Sequence, residues 1–87
     1  MQAINNMLEL ILIDPLNRER LARDYQKRIR NTTITDSDEI IKVYNDLADI
    51  MDYYEPDQEI RKEDPLNYGD DRLLLEVREA LNKLKKF

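Results

Sequence analysis

Residues that end regular backbone are scarce in this chain: one glycine, Gly69, and three prolines, Pro15, Pro56 and Pro65, in 87 residues. Proline removes a backbone donor and fixes φ, and glycine frees the chain to turn, so the two mark corners. A sequence this poor in both folds into long regular elements with few breaks. Three prolines divide it into roughly four segments. Within the segments the apolar residues recur at helical spacing, three and four apart, and not in strict alternation. With 41% apolar residues in such periodic order the chain is foldable, and its length allows one domain with a modest core.

The first segment, 2–13, sets Ile4, Met7, Leu8 and Ile11 at helical spacing, while Leu10, Leu12 and Ile13 spread apolar surface round the rest of the turn. The run from Leu8 to Ile13 also has strand propensity, but the chain offers no second strand to pair with it. Asp14-Pro15 ends this helix, because the residue before proline is driven out of the α region. The same pair opens the next helix, 15–31, as N-cap and first helical residue. Leu21, Ala22, Tyr25 and Ile29 share one face of it. After a polar turn, Thr35 or Asp36 caps a third helix, 36–55, with Asp38 and Glu39 three residues on as in a capping box. Ile40, Tyr44, Leu47, Met51 and Tyr54 form its stripe, and Pro56 ends it.

Residues 57–69 read as a loop with a short helical turn around Ile60. Asp64-Pro65-Leu66-Asn67 repeats Asp14-Pro15-Leu16-Asn17. The flanks differ, so the repeat reads as one helix-start chemistry used twice. Asp70 or Asp71 caps the last helix, 70–86, where Leu73, Leu74, Val77, Ala80, Leu81, Leu84 and Phe87 line one face and Leu75 falls on the far side. The predicted fold is all-α: a small antiparallel bundle of three to four helices, a single domain over residues 1–87.

Composition removes most chemistry. With no cysteine and no histidine there is no disulfide, no zinc site of the usual kind, no haem ligation and no nucleophile–histidine pair. One glycine cannot build a phosphate loop. A calcium loop over 64–75 would need oxygen ligands where Leu66, Tyr68 and Leu75 stand. Adjacent carboxylates such as Asp70-Asp71 are expected in a chain with 19 acidic residues and are no sign of acid chemistry by themselves. The expectation is a non-enzymatic protein without metal or cofactor. The missing cysteines suit the cytoplasm, and the first thirteen residues lack the basic start of a signal peptide. No stretch approaches the ~20 apolar residues of a membrane span.

Charge is segregated. The second helix carries Arg18, Arg20, Arg23, Lys27, Arg28 and Arg30 against Glu19 and Asp24, whereas 36–59 carries nine acidic residues and only Lys42, in a chain of net charge −5. The two helices are expected to neutralise each other's rims, which favours their pairing although each exposed pair contributes little. The alternative, that the basic helix meets nucleic acid, runs against the acidic net charge. On the acidic helix, Tyr53 falls beside Asp46, Asp49 and Asp52, away from the core stripe that takes Tyr54. A tyrosine among carboxylates suits an anchor for a basic protein partner, with Tyr68 in the nearby loop joining it. Leu10, Leu12, Ile13 and Leu75 exceed one bundle face and suggest either a central first helix or a homo-oligomer assembled through it.

The acidic helix ending Tyr53-Tyr54-Glu55-Pro56 is loosely similar to the acidic helix and Tyr-Tyr-Pro of the colicin-type immunity proteins. In that family the tyrosines sit on a separate short helix; here they are expected to end the acidic helix itself. The resemblance is one of surface, and it implies a small inhibitor or adaptor that offers an acidic, tyrosine-bearing face.

Overall fold

A computed structural model describes residues 2–87. Five helices follow in order: α1 (Gln2–Ile13), α2 (Arg18–Asn31), α3 (Asp38–Ile50), α4 (Gln58–Arg61) and α5 (Asp70–Leu84), with a 3₁₀ turn over Met51–Tyr53 after α3. The architecture is an all-α bundle. α1 packs on α2 and α5, and α3 packs on α2 and α5, so the four long helices close a ring round one core. α5 runs antiparallel to both its neighbours: its start lies against the end of α1 through Arg18 and against the end of α3 through Tyr68.

The core follows the helical stripes. Ile4, Leu8 and Ile11 come from α1; Leu21, Ala22, Tyr25 and Ile29 from α2; Tyr44, Leu47 and Ala48 from α3; and Leu73, Val77, Ala80 and Leu81 from α5. Met51 and Tyr54 close it from the segment after α3. Burying a side chain of this size contributes about 1.5–3 kcal/mol. Two polar side chains are buried with them, Arg18 and Gln26.

Several element boundaries differ from those the sequence suggests. α2 begins at Arg18, not Pro15, because Pro15–Asn17 form a separate turn closed by the Asp14 carboxylate, which accepts from the Asn17 amide at 3.3 Å and its side-chain nitrogen at 2.9 Å. The second copy of the tetrapeptide does the same: the Asp64 carboxylate accepts from the Leu66 amide at 2.9 Å. Both copies therefore make turns rather than helix starts, and both push a leucine outward, Leu16 (95% exposed) and Leu66 (64%).

α3 is capped by Ser37, whose hydroxyl accepts from the Ile40 amide, and not by Thr35 or Asp36. It stops at Ile50 rather than running to 55. Proline 56 disfavours helix at Glu55. Tyr54 turns extended instead and pairs with Tyr68 as a single parallel bridge, with Glu55 N donating to Tyr68 O and Tyr68 N to Tyr53 O, each at 2.8 Å. Tyr53 thus stands on the 3₁₀ turn and not on the acidic helix. The helical turn expected around Ile60 is α4, capped by the Asp57 carboxylate. Gly69, not Asp70 or Asp71, is the N-cap of α5, which ends at Leu84 and leaves Phe87 exposed.

Candidate functional site

The basic helix spends half its charge on the fold. Arg18 Nε donates to Ile11 O at 2.7 Å, and one Nη reaches Asp70 at 3.5 Å. Arg23 donates to Met51 O at 2.8 Å and Tyr54 O at 2.7 Å and lies over the Tyr54 ring. Arg30 forks onto Asp52 at 2.9 and 3.1 Å and touches Asp49 at 3.3 Å. Arg20 pairs with Asp24 of its own helix. Lys27 and Arg28 are exposed.

These contacts reshape the expected pairing of rims. Arg23, Gln26 and Arg30, from two turns of α2, meet residues 48–54, and Tyr25 between them reaches back only to Tyr44 O, so α2 crosses the carboxyl half of α3 and does not lie flush along it. Helix ends leave carbonyls without partners in their own helix. Here Gln26 donates to Ala48 O at 2.9 Å and Tyr68 OH to Ile50 O at 2.6 Å, while Arg23 adds a second donor to Met51 O, which also accepts from the Tyr54 amide at 3.1 Å. Cations are also favoured by the dipole at that end.

The acidic residues divide three ways. Asp52 faces α2, bound by Arg30 and Gln26, and its carboxyl is held below the usual range chiefly by the hydrogen bond from Arg30. Asp46 is tied to Lys42 one turn back at 2.7 Å. Asp49 remains on the surface at the edge of a cleft of about 510 Å³ that Ile50, Tyr53, Pro65, Leu66 and Tyr68 also line, with Arg72 at the side. Of the residues the sequence picks out, the structure brings Asp49, Tyr53 and Tyr68 into one place and leaves Asp46 and Asp52 outside it.

The cleft is built from two separate segments. The 3₁₀ turn presents Tyr53, 41% exposed, while the Tyr54–Tyr68 bridge draws the second tetrapeptide turn alongside and delivers Leu66. Tyr68 forms the wall. Its hydroxyl is committed to Ile50 O, its ring meets Tyr54 at a centroid distance of 6.2 Å, and Arg72 lies over it at 5.7 Å. Burial, with Glu76 adding to it, pushes the Tyr68 hydroxyl up to about 12. Leu66 escapes sequence reasoning, because the only signal is a repeated turn tetrapeptide thirteen residues from Tyr53.

The surplus apolar residues also separate. Leu12 is half-buried and packs on the core, whereas Leu10, Ile13 (73% exposed) and Leu75 face outward. Among the described residues no helix is long and apolar enough to cross a membrane, and no three acidic side chains gather as a metal site requires. No protein-family model matches the chain, and neither a curated protein nor a solved structure matches it.

Proposed function

We propose that this chain is a non-enzymatic protein-interaction module, a small acidic adaptor or inhibitor of the cytoplasm that binds a basic protein surface through the Tyr53 cleft. One observation carries the reading: Tyr53 and Leu66, two large side chains that a folded core would normally claim, stand exposed in the same concave site beside Asp49. Binding energy at protein interfaces concentrates in such aromatic and aliphatic anchors, and a charged rim steers the partner. The test is capture from nuclease-treated lysate with wild-type, Tyr53→Ala and Asp49→Lys baits of equal helicity. A basic protein held by the wild type and lost from both variants supports the cleft; equal retention by all three removes it.

A second reading is self-assembly through the end of α1, supported by the outward Leu10, Ile13 and Leu75 together with the bare Leu16. Sedimentation decides it: a wild-type oligomer that Ile13→Asp dissociates supports it, and a wild-type monomer at high concentration ends it. Nucleic-acid binding by α2 is weaker as a reading, because Arg18, Arg23 and Arg30 are engaged inside the fold, which leaves few cations for phosphates.

A further inference from the structure

A second hollow adjoins the Tyr53 cleft. It lies between α3 and α5, has a volume of about 320 Å³, and shares Ile50 with the cleft. Val43, Leu47, Ile50 and Ala80 floor it. The two hollows meet at Ile50 and follow α3 and the 3₁₀ turn after it from Glu39 to Tyr53 as one trough, about 20 Å at a helical rise of ~1.5 Å per residue. Leu47 and Ala80 belong to the core and form its base, while Val43 and Ile50, seven residues apart and so on one side of α3, stand above them as the ridge against which another helix can pack. Val43 and Ile50 are only half-covered by this chain.

The walls are acidic in balance. Lys42 and Arg72 are already held by Asp46 and Glu76, each at 2.7 Å. Glu39 and Glu79 then face Lys83 alone, and Asp49 at the cleft end is exposed but shared with Arg30 at 3.3 Å. An apolar floor between acidic walls fits a segment with an apolar stripe flanked by Lys and Arg. An extended strand would need an open sheet edge. The one β feature among the described residues is the Tyr54–Tyr68 bridge, whose hydrogen bonds are already made.

We infer that the trough between α3 and α5 receives a cationic amphipathic helix of the partner protein. This rests on the reading of the Tyr53 cleft as a protein-binding site and adds the form of what it binds.

The probe is a synthetic Leu/Lys peptide of about 18 residues with leucines at helical spacing. Its controls are a peptide of the same composition in scrambled order and a Leu/Glu helix. Amide chemical shifts of the labelled protein are followed at about 150 mM salt, where long-range attraction is screened. The expected result is saturable binding of the Leu/Lys helix, with shifts at Val43, Leu47, Ile50 and Ala80 as well as Tyr53. The double variant Glu39→Lys, Glu79→Lys, exposed on both walls, should weaken it roughly tenfold or more with the fold unchanged. Equal binding of either control, or no saturation below about 1 mM, overturns the inference. Shifts confined to Tyr53, Leu66 and Tyr68 also overturn it, yet leave the cleft standing. Loss of the cleft itself is read separately, from a lysate partner that Tyr53→Ala fails to release.

Discussion

Arg18 links Asp70 to the end of α1: while one of its Nη atoms lies 3.5 Å from the Asp70 carboxylate, its Nε donates to Ile11 O at 2.7 Å and its other Nη to Leu12 O at 3.3 Å. The second Asp70 oxygen accepts from Tyr54 OH at 2.5 Å. One buried guanidinium at the start of α2 thus joins the end of α1, the start of α5 and the segment after α3. Its planar fork spreads donors over three nitrogens and so reaches acceptors too far apart for the single nitrogen of lysine.

Replacing Arg18 by Met keeps the apolar stem and removes the fork. The carbonyls of Ile11 and Leu12 then lose their partner and Asp70 its counter-charge. The expected cost is about 2–4 kcal/mol, since removing one member of a buried, hydrogen-bonded charge system leaves the others unsatisfied. Asp70→Asn should cost less, about 1 kcal/mol or below, because that carboxylate is half-exposed. Urea midpoints at constant slope check both, and the ranking fails if the two variants are equal.

Gln26 makes the corresponding joint at the carboxyl end of α3. Its amide nitrogen donates to Ala48 O and Asp52, each at 2.9 Å, and its oxygen accepts from Arg23. Gln26→Leu should destabilise by about 1–3 kcal/mol. Gln26→Glu should be worse than Leu despite its matching shape, because it removes the donor and sets a carboxylate against Asp52. Thermal unfolding of the pair at neutral pH reads the order.

Much of this architecture is visible in the sequence, and the exceptions share a cause. The helical stripe predicts the burial of Tyr44 and Leu47 on α3; Met51 and Tyr54, expected on the same stripe, are buried too, and Tyr53 is exposed, but the 3₁₀ turn and the bridge to Tyr68 place them, not the helix. Spacing within one helix decides only the first pair. What Arg18, Arg23 and Arg30 do depends on where another helix ends, and a wheel carries no information about that. By their own helix they are surface cations; by their reach they are caps for the carbonyls of α1 and α3. Leu66 is hidden for the same reason, because a backbone bridge between distant segments, not periodicity, sets it beside Tyr53.

Alkali should unfold the protein before it ionises the inner tyrosines. Burial, with Tyr44 adding to it, raises the Tyr25 hydroxyl well above its ordinary 10. Burial and then the bond to Asp70 do the same for Tyr54, and Tyr68 sits at about 12. Folded values above unfolded ones give stability that is complete below pH 10 and is lost as pH rises toward and through the folded values. Each such tyrosine takes away at most about 1.4 kcal/mol per pH unit in that window. Urea midpoints from pH 8 upward should therefore fall from about pH 10. Tyr25→Phe, which gives up the 2.8 Å bond to Tyr44 O, should be less stable at neutral pH yet show a shallower alkaline fall. Parallel curves for variant and wild type would show that Tyr25 does not drive the loss.

Gly69 offers a gain instead of a loss. It is the N-cap of α5 with φ −103° and ψ −161°, which any residue adopts, and it supplies no side-chain bond to the amides of the first turn. A Cβ there would lie 2.1 Å from Arg61 Nη1, so the Arg61 head must move. That head is the mobile end of a long side chain, held by one 3.4 Å bond to Pro56 O, while its Nε is buried without a partner. Gly69→Ala and Gly69→Ser displace Arg61 alike, so their difference isolates the cap. Serine at this position accepts from the amides two and three residues on, and the serine variant should exceed the alanine variant by about 1 kcal/mol. Thermal melts of the two variants measure it. Equal melting would mean that the first-turn amides of α5 gain nothing from a side-chain acceptor there.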